Sequence, residues 1–132
     1  KAFHTMGHQH FLVGLVQRGV DPHVIHLVNE MHRNISTYIS TEKERTDPIY
    51  IRSGVKQGDP MSPLLFNLVV DFLLCELETE GKGFQQGGLR ITAMAFADDS
   101  VLLSDSWGGM RCNIKILETF CELMNLWMQG EK

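Results

Sequence analysis

Two adjacent carboxylates, Asp98 and Asp99, close the run Phe96-Ala97-Asp98-Asp99. Leu89, Ile91, Ala93 and Ala95 alternate before them with Arg90, Thr92, Met94 and Phe96, which is strand periodicity. Val101-Leu102-Leu103 follows as a second strand, so the acids are expected at a tight turn. Like charges this close repel, and burying them would cost several kcal/mol each unless a cation compensates. Magnesium suits such a place, since it keeps waters and takes one or two carboxylates plus substrate phosphates. An ordinary Asp-rich hairpin turn would use the same residues, and at this level both readings stand.

A second dense stretch is Ser53-Gly54-Val55-Lys56-Gln57-Gly58-Asp59-Pro60-Met61-Ser62-Pro63. Gly54 and Gly58 allow backbone to approach a ligand closely, and Pro60 and Pro63 stiffen the loop. The loop delivers Lys56 and Gln57 just ahead of an apolar helix, but spacing alone names no ligand. The N-terminal run Lys1-Ala2-Phe3-His4-Thr5 says little by itself.

The elements that position these residues follow from periodicity and punctuation. Residues 7 to 19 read as a helix with Phe11, Leu12, Leu15 and Val16 on one face and Gly19 as its stop. Asp21-Pro22 reads as an N-cap with Pro at the first helical position. The helix it starts carries Val24, Ile25, Val28 and Met31 and frays near Asn34. Ile35 to Thr41 and Pro48 to Ser53 read as a hairpin with a solvated tip, Glu42-Lys43-Glu44-Arg45. Ser62-Pro63 repeats the cap signature before a helix that is apolar nearly all round and is expected to be deeply buried. Gly81 to Gly88 ends it. From about Gly109 a last helix carries Met110, Ile114, Leu117, Cys121 and Met124. The layout is α+β, with helices packed on one face of a small antiparallel sheet.

Composition sets the outer bounds. The chain has 132 residues, a one-domain length, with 43% hydrophobic and 21% charged residues. No apolar run is long enough to span a membrane. The formal net charge of −4 argues against a free-standing nucleic-acid binder, which would carry a basic stripe. It does not argue against a catalytic core whose metal centre gathers carboxylates. Cys75, Cys112 and Cys121 form neither a disulfide framework nor a zinc knuckle, which fits a reducing compartment. The chain opens on Lys1 with neither Met nor a signal-peptide pattern, and is read as an excerpt of something longer.

The order KAF-x-T, then GVKQGDPMSPLLFN, then AFADD about 40 residues later, resembles three consecutive motifs of reverse transcriptases from non-LTR retroelements. The phrases MAFADD and VLLSDSW are most similar to the elements that insert into ribosomal RNA genes. The resemblance implies a polymerase palm with part of the fingers over residues 1 to 132. It implies an RNA-directed DNA polymerase that uses two magnesium ions, with manganese as a possible substitute. Asp98 and Asp99 match the family's catalytic acids and metal ligands. Phe3 matches the aromatic steric gate against a ribose 2′-hydroxyl, and Ala2 lies beside it under the incoming nucleotide. Gln57 and Gly58 match the pair that touches nucleotide and template. Lys132 matches a lysine that protonates the leaving pyrophosphate. The implied partners are an RNA template, a DNA primer end and deoxynucleoside triphosphates, with no membrane, in the nucleus.

Three departures from the family pattern bear on activity. The first catalytic Asp belongs three residues before Lys1, so the isolated chain is expected not to polymerise. His4 stands where the family carries Asp, which leaves open a degenerate, non-catalytic relative kept as a nucleic-acid scaffold. Asn125 stands where relatives turn with Gly, a change that Asn tolerates in the left-handed region. A metal-dependent hydrolase using the two acids is a further alternative, and it leaves the Gln57 loop unexplained. Six histidines, His4, His8, His10, His23, His26 and His32, crowd the first 32 residues. Without an H-E-x-x-H pattern or a nearby cysteine they read as structural or surface groups rather than a zinc site.

Overall fold

The computed structural model describes residues 7–42, 44–51, 53–54 and 58–128. Ala2, Phe3, His4, Lys56, Gln57 and Lys132 lie outside the described residues.

The described residues begin with two short helices, α1 (His8–Gln17) and α2 (Pro22–His32). Gly19, at φ +69°, stops the first in the left-handed region open to glycine. Asp21 caps the second as its sequence requires, its Oδ1 accepting the His23 N–H at 2.8 Å. Asn34, at φ +57°, ends that segment. Strands β1 (Ser36–Thr37) and β2 (Ile49–Tyr50) then pair antiparallel, with Ser36 opposite Tyr50. A further bridge joins Ser40 to Arg45 near the charged tip.

Helix α3 (Ser62–Thr79) is the central element. Its cap differs from the expected one. Met61, not Ser62, takes the N-cap position, and Ser62 is already helical. Asp59 supports the turn before it: its Oδ1 accepts the Met61 N–H at 2.9 Å and its carbonyl accepts the Ser62 N–H at 3.1 Å. The helix is also less completely buried than its composition suggests. Leu65, Val69, Leu73 and Leu77 form a buried i, i+4 ridge, with Phe66 beside it, while Leu64 is 69% exposed. Helices α1 and α4 and strand β5 pack against it. At its C-terminal end, Arg90 reaches back to the carbonyls of Glu78 and Gly81, a cation at the negative end of the helix dipole.

The stretch read as one strand before the acids is two. Strands β3 (Phe84–Gln86) and β4 (Leu89–Ile91) form a hairpin of their own. Its turn is Gly87-Gly88, both at positive φ, as a two-residue hairpin turn demands. Thr92 then breaks the ladder, and β5 (Ala93–Phe96) pairs with β6 (Asp99–Leu102). The glycine-rich stretch conceals β3, because a Gly-Gly turn and a helix stop use the same residue type. Helix α4 (Trp107–Met124) closes the chain. Ser106 caps it by accepting the Gly109 N–H at 3.1 Å, and Asn125 ends it at φ +56°, the left-handed conformation its residue type permits.

The α+β layout expected is therefore the one observed, its strands grouped as three antiparallel pairs among the described residues. The core is Phe11, Val28, Leu65, Phe66 and Val69, with Leu12, Leu15, Val70, Phe120 and Met124 packed against it. No described helix is long and apolar enough to cross a membrane. Phe11→Ala is expected to lower unfolding free energy by about 3–5 kcal/mol, because the ring is fully buried. Leu64→Ala should stay within about 0.5 kcal/mol of the parent. Urea unfolding of the two variants side by side checks the contrast.

Candidate active site

The two acids stand at the apex of the β5–β6 hairpin. Phe96 pairs with Asp99, so Ala97 and Asp98 are the two central residues of the turn. Ala97 has φ +53°. A left-handed backbone costs an L-residue with a Cβ roughly 1–2 kcal/mol, and glycine is the usual solution at such a turn position. The sequence contained a signal for this: two strand patterns joined by only two residues demand an unusual turn.

Strand alternation assigns the faces. Met94, Phe96, Asp99 and Val101 share one, and Ala93, Ala95, Ser100 and Leu102 share the other. Phe96 is 85% exposed, while Ala93 and Leu102 at the hairpin base are half-buried. Helix α3 lies against β5 and α4 against β6. Asp98 and Asp99 are both exposed. The desolvation cost that argued for a compensating cation is thus not incurred in this chain. The case for a metal rests on donor chemistry instead. Two hard carboxylate oxygens side by side fit magnesium's habit of taking one or two carboxylates and completing its shell with water and phosphate. Among the described residues no group of three or more His, Cys, Asp or Glu side chains gathers to form a closed protein site.

The residues that follow the first motif meet the start of the second at a different place. Gly7 and Ser53 form an antiparallel bridge. The His8 Nε2–H donates to the Gly54 carbonyl at 3.0 Å. Gly7-His8 and Ser53-Gly54 therefore form one junction. Gly54 lies at φ +84° and Gly58 at φ +90°. A Cβ on Gly58 would meet nothing within 4 Å, so its backbone conformation, not crowding, calls for glycine. From that loop the chain enters α3, which packs on β5 further along. Of the residues assigned to the site, the structure thus describes Gly58, Asp98 and Asp99.

His8 was read only as one of several structural or surface histidines, and its role in this junction was not visible in spacing. Its ring packs against Phe11 at 5.7 Å and His32 at 5.4 Å between centroids. His32 is buried and its Nδ1–H donates to the Val28 carbonyl at 2.8 Å. Burial pushes the His8 imidazole below its ordinary value of 6.5; the bond to Gly54 opposes this and the neighbouring His32 adds to it.

An α+β unit in which a strand-borne acid pair and a glycine loop hang from one buried helix is the class this architecture defines. The family profile described as reverse transcriptase (RNA-dependent DNA polymerase) matches residues 1–132, and the chain belongs to that family. It is similar to the retrovirus-related Pol polyprotein from the type-1 retrotransposable element R2 of Popillia japonica, 36% identical over the whole chain and 19% of that protein. The corresponding protein of Nasonia vitripennis is 34% identical over the whole chain and 13% of its own length. The Pol polyprotein of the type-2 element R2DM of Drosophila melanogaster is 31% identical, again over the whole chain and 12% of its length. The chain thus spans about a fifth or less of these relatives.

A folded-state value below the unfolded one means that neutral His8 favours the fold. Its contribution is present above pH 6.5 and is lost as pH falls through the lowered folded value. Stability is therefore expected to decline below pH 6.5, and His8→Gln should flatten that part of the profile. Unfolding midpoints measured across this range test it.

Proposed function

We propose that this chain is the palm, with part of the fingers, of an RNA-directed DNA polymerase that extends a DNA primer end on an RNA template during retrotransposition. The observation that carries the reading is the Asp98-Asp99 pair at the apex of a short hairpin, in a chain of the reverse transcriptase family. Relatives named as Pol polyproteins of R2 elements support it. The reaction is nucleotidyl transfer: the primer 3′-hydroxyl attacks the α-phosphate of a deoxynucleoside triphosphate and pyrophosphate leaves.

Asp98, as direct ligand, and Asp99, as a second carboxylate, are this chain's share of the groups that would hold two divalent ions, magnesium or manganese. Such ions supply activation of the 3′-hydroxyl and neutralisation of the triphosphate. The chain's own residues then do the positioning, which is most of the work in phosphoryl transfer. Phe3 excludes a ribose 2′-hydroxyl by bulk, and Ala2 underlies the nucleotide. Gln57 and the backbone at Gly58 contact the nucleotide and template. Lys132 delivers a proton to the leaving pyrophosphate. A net charge of −4 fits a catalytic centre that relies on basic surface elsewhere in its parent to grip the nucleic acid. The work is placed in the nucleus, where a nicked chromosomal end can serve as primer.

In the intact parent protein, Asp98→Asn is expected to reduce primer extension on the order of 10²–10³-fold or more, by removing charge where the transition state needs it. Extension at the parent rate with magnesium present would sink the role of the hairpin, and a scaffold function would replace it. Phe3→Val should lower the dNTP-over-rNTP ratio of kcat/KM by about 10–100-fold, the usual scale of a steric discrimination. An unchanged ratio would move the gate to another residue.

A further inference from the structure

Asn113 is fully buried on α4 and spends its whole side-chain amide on backbone groups of other segments. Its Oδ1 accepts the Lys82 N–H at 2.7 Å. Its Nδ2 donates to the Lys82 carbonyl at 3.0 Å and to the Leu103 carbonyl at 3.1 Å. One acceptor facing an N–H and two donors facing two carbonyls is a pattern only a primary amide satisfies, and only asparagine has it at this length. Lys82 lies in the turn between α3 and β3. Leu103 directly follows β6 and donates its own N–H to the Thr92 carbonyl at 2.8 Å, across the base of the acid-bearing hairpin. Asn113 therefore joins three pieces: the helix it sits on, the end of α3, and the root of the hairpin.

The surroundings leave these pieces no slack. Thr92 is buried, and its Oγ1 stands 2.6 Å from where a Cβ on Gly83 would be. A Cβ on Gly109 would fall 2.3 Å from the Ser104 Oγ and 2.8 Å from the Lys82 Cβ. Neighbouring segments thus pack closely around a single buried amide. The apex bearing Asp98 is four strand residues beyond this root, about 13 Å at strand rise. A tilt of about 5° at the root moves the apex by about 1 Å over that length. A misplacement of that size can cost on the order of 100-fold in rate.

We infer that Asn113 is the positioning residue that clamps the root of the Asp98-Asp99 hairpin, setting where the acids stand relative to α3 and α4. Its catalytic consequence rests on the polymerase reading of those acids; the clamp itself does not. The sequence contained a trace of it. Asn113 lies three residues after Met110 and four before Leu117, a polar amide on an otherwise apolar helical stripe.

The test uses the intact parent protein and three variants: Asn113→Ala, Asn113→Asp and Val28→Ala. Val28 is buried in the core on α2, outside the hairpin and its root, and serves as the control for lost stability alone. Hydrogen exchange is read on the amides of residues 93–102, and primer extension gives kcat and KM for dNTP. The expected result is at least a tenfold rise in hairpin exchange for both Asn113 variants, at a melting temperature matched by Val28→Ala, which leaves hairpin exchange unchanged. Turnover should fall about 10–100-fold in the Asn113 variants with KM for dNTP near that of the parent. Asn113→Asp adds a signature. Its carboxylate faces two carbonyls, so its turnover relative to the parent should recover as pH falls and the carboxyl protonates. It also keeps the side-chain shape if Asn113→Ala does not fold. Hairpin exchange no faster than in Val28→Ala, together with parental turnover, would overturn the proposal. If Asp98→Asn also retains full extension, the polymerase reading of the acids fails, and the exchange measurement alone then decides the clamp.

Discussion

The ridge of Leu65, Val69, Leu73 and Leu77 on α3 is the surface on which the rest of the chain assembles. An 18-residue helix is about 27 Å long, enough to join elements that share no direct contact. Near its start, Phe11 of α1 and Val28 of α2 close over Leu65, Phe66 and Val69. The approach of α1 is close: a Cβ on Gly14 would stand 3.0 Å from both Leu68 and Phe72. Further along, α4 and β5 pack on the same helix. The glycine loop precedes this rod and the acid-bearing hairpin leans on it, so the two halves of the candidate site are related through one buried ridge.

The hairpin divides into a rigid root and an exposed apex. At the root, the buried Asn113 amide is paired with the backbone of Lys82 and Leu103, and neighbouring segments pack closely around it. At the apex, two carboxylates face solvent beside a ring that is 85% exposed. The positive φ of Ala97 sits at the junction of strand and acid, where a local conformational cost is tolerable because the paired strands hold both sides. On the proposed function, the two exposed carboxylates would offer oxygens to hydrated magnesium beside a substrate phosphate. That chemistry needs position more than burial, which is why the polar knot beneath the hairpin matters to a group four residues away.

Local chemistry was legible wherever a residue acts through its own backbone. Asp21-Pro22, Gly19 and Asn125 end or begin helices as read, because a cap or a left-handed turn depends on a few neighbours only. The paired strands around Asp98-Asp99 were legible for the same reason, through alternation. The failures are equally local in origin. Met61 took the cap position expected of Ser62 because the exact start of a helix is decided by how the loop enters it. The strand before the acids divided at Thr92 because alternation records which residues face which way, not which partner a strand takes.

By itself, then, the sequence determined the element types, the α+β class, the acid pair at its turn and the three motifs that mark the reverse transcriptase family. Each of these is written in residue types at short range or in a fixed order along the chain. Tertiary structure alone decided that Gly7 meets Ser53, that His8 bonds Gly54 across 46 positions, and that Asn113 binds Lys82 and Leu103 at once. Those contacts form only when α3 has brought distant segments together. Their partners are backbone N–H and C=O groups, which every residue carries, so a polar residue on an apolar stripe can stand out in the sequence but its partners cannot be named from it.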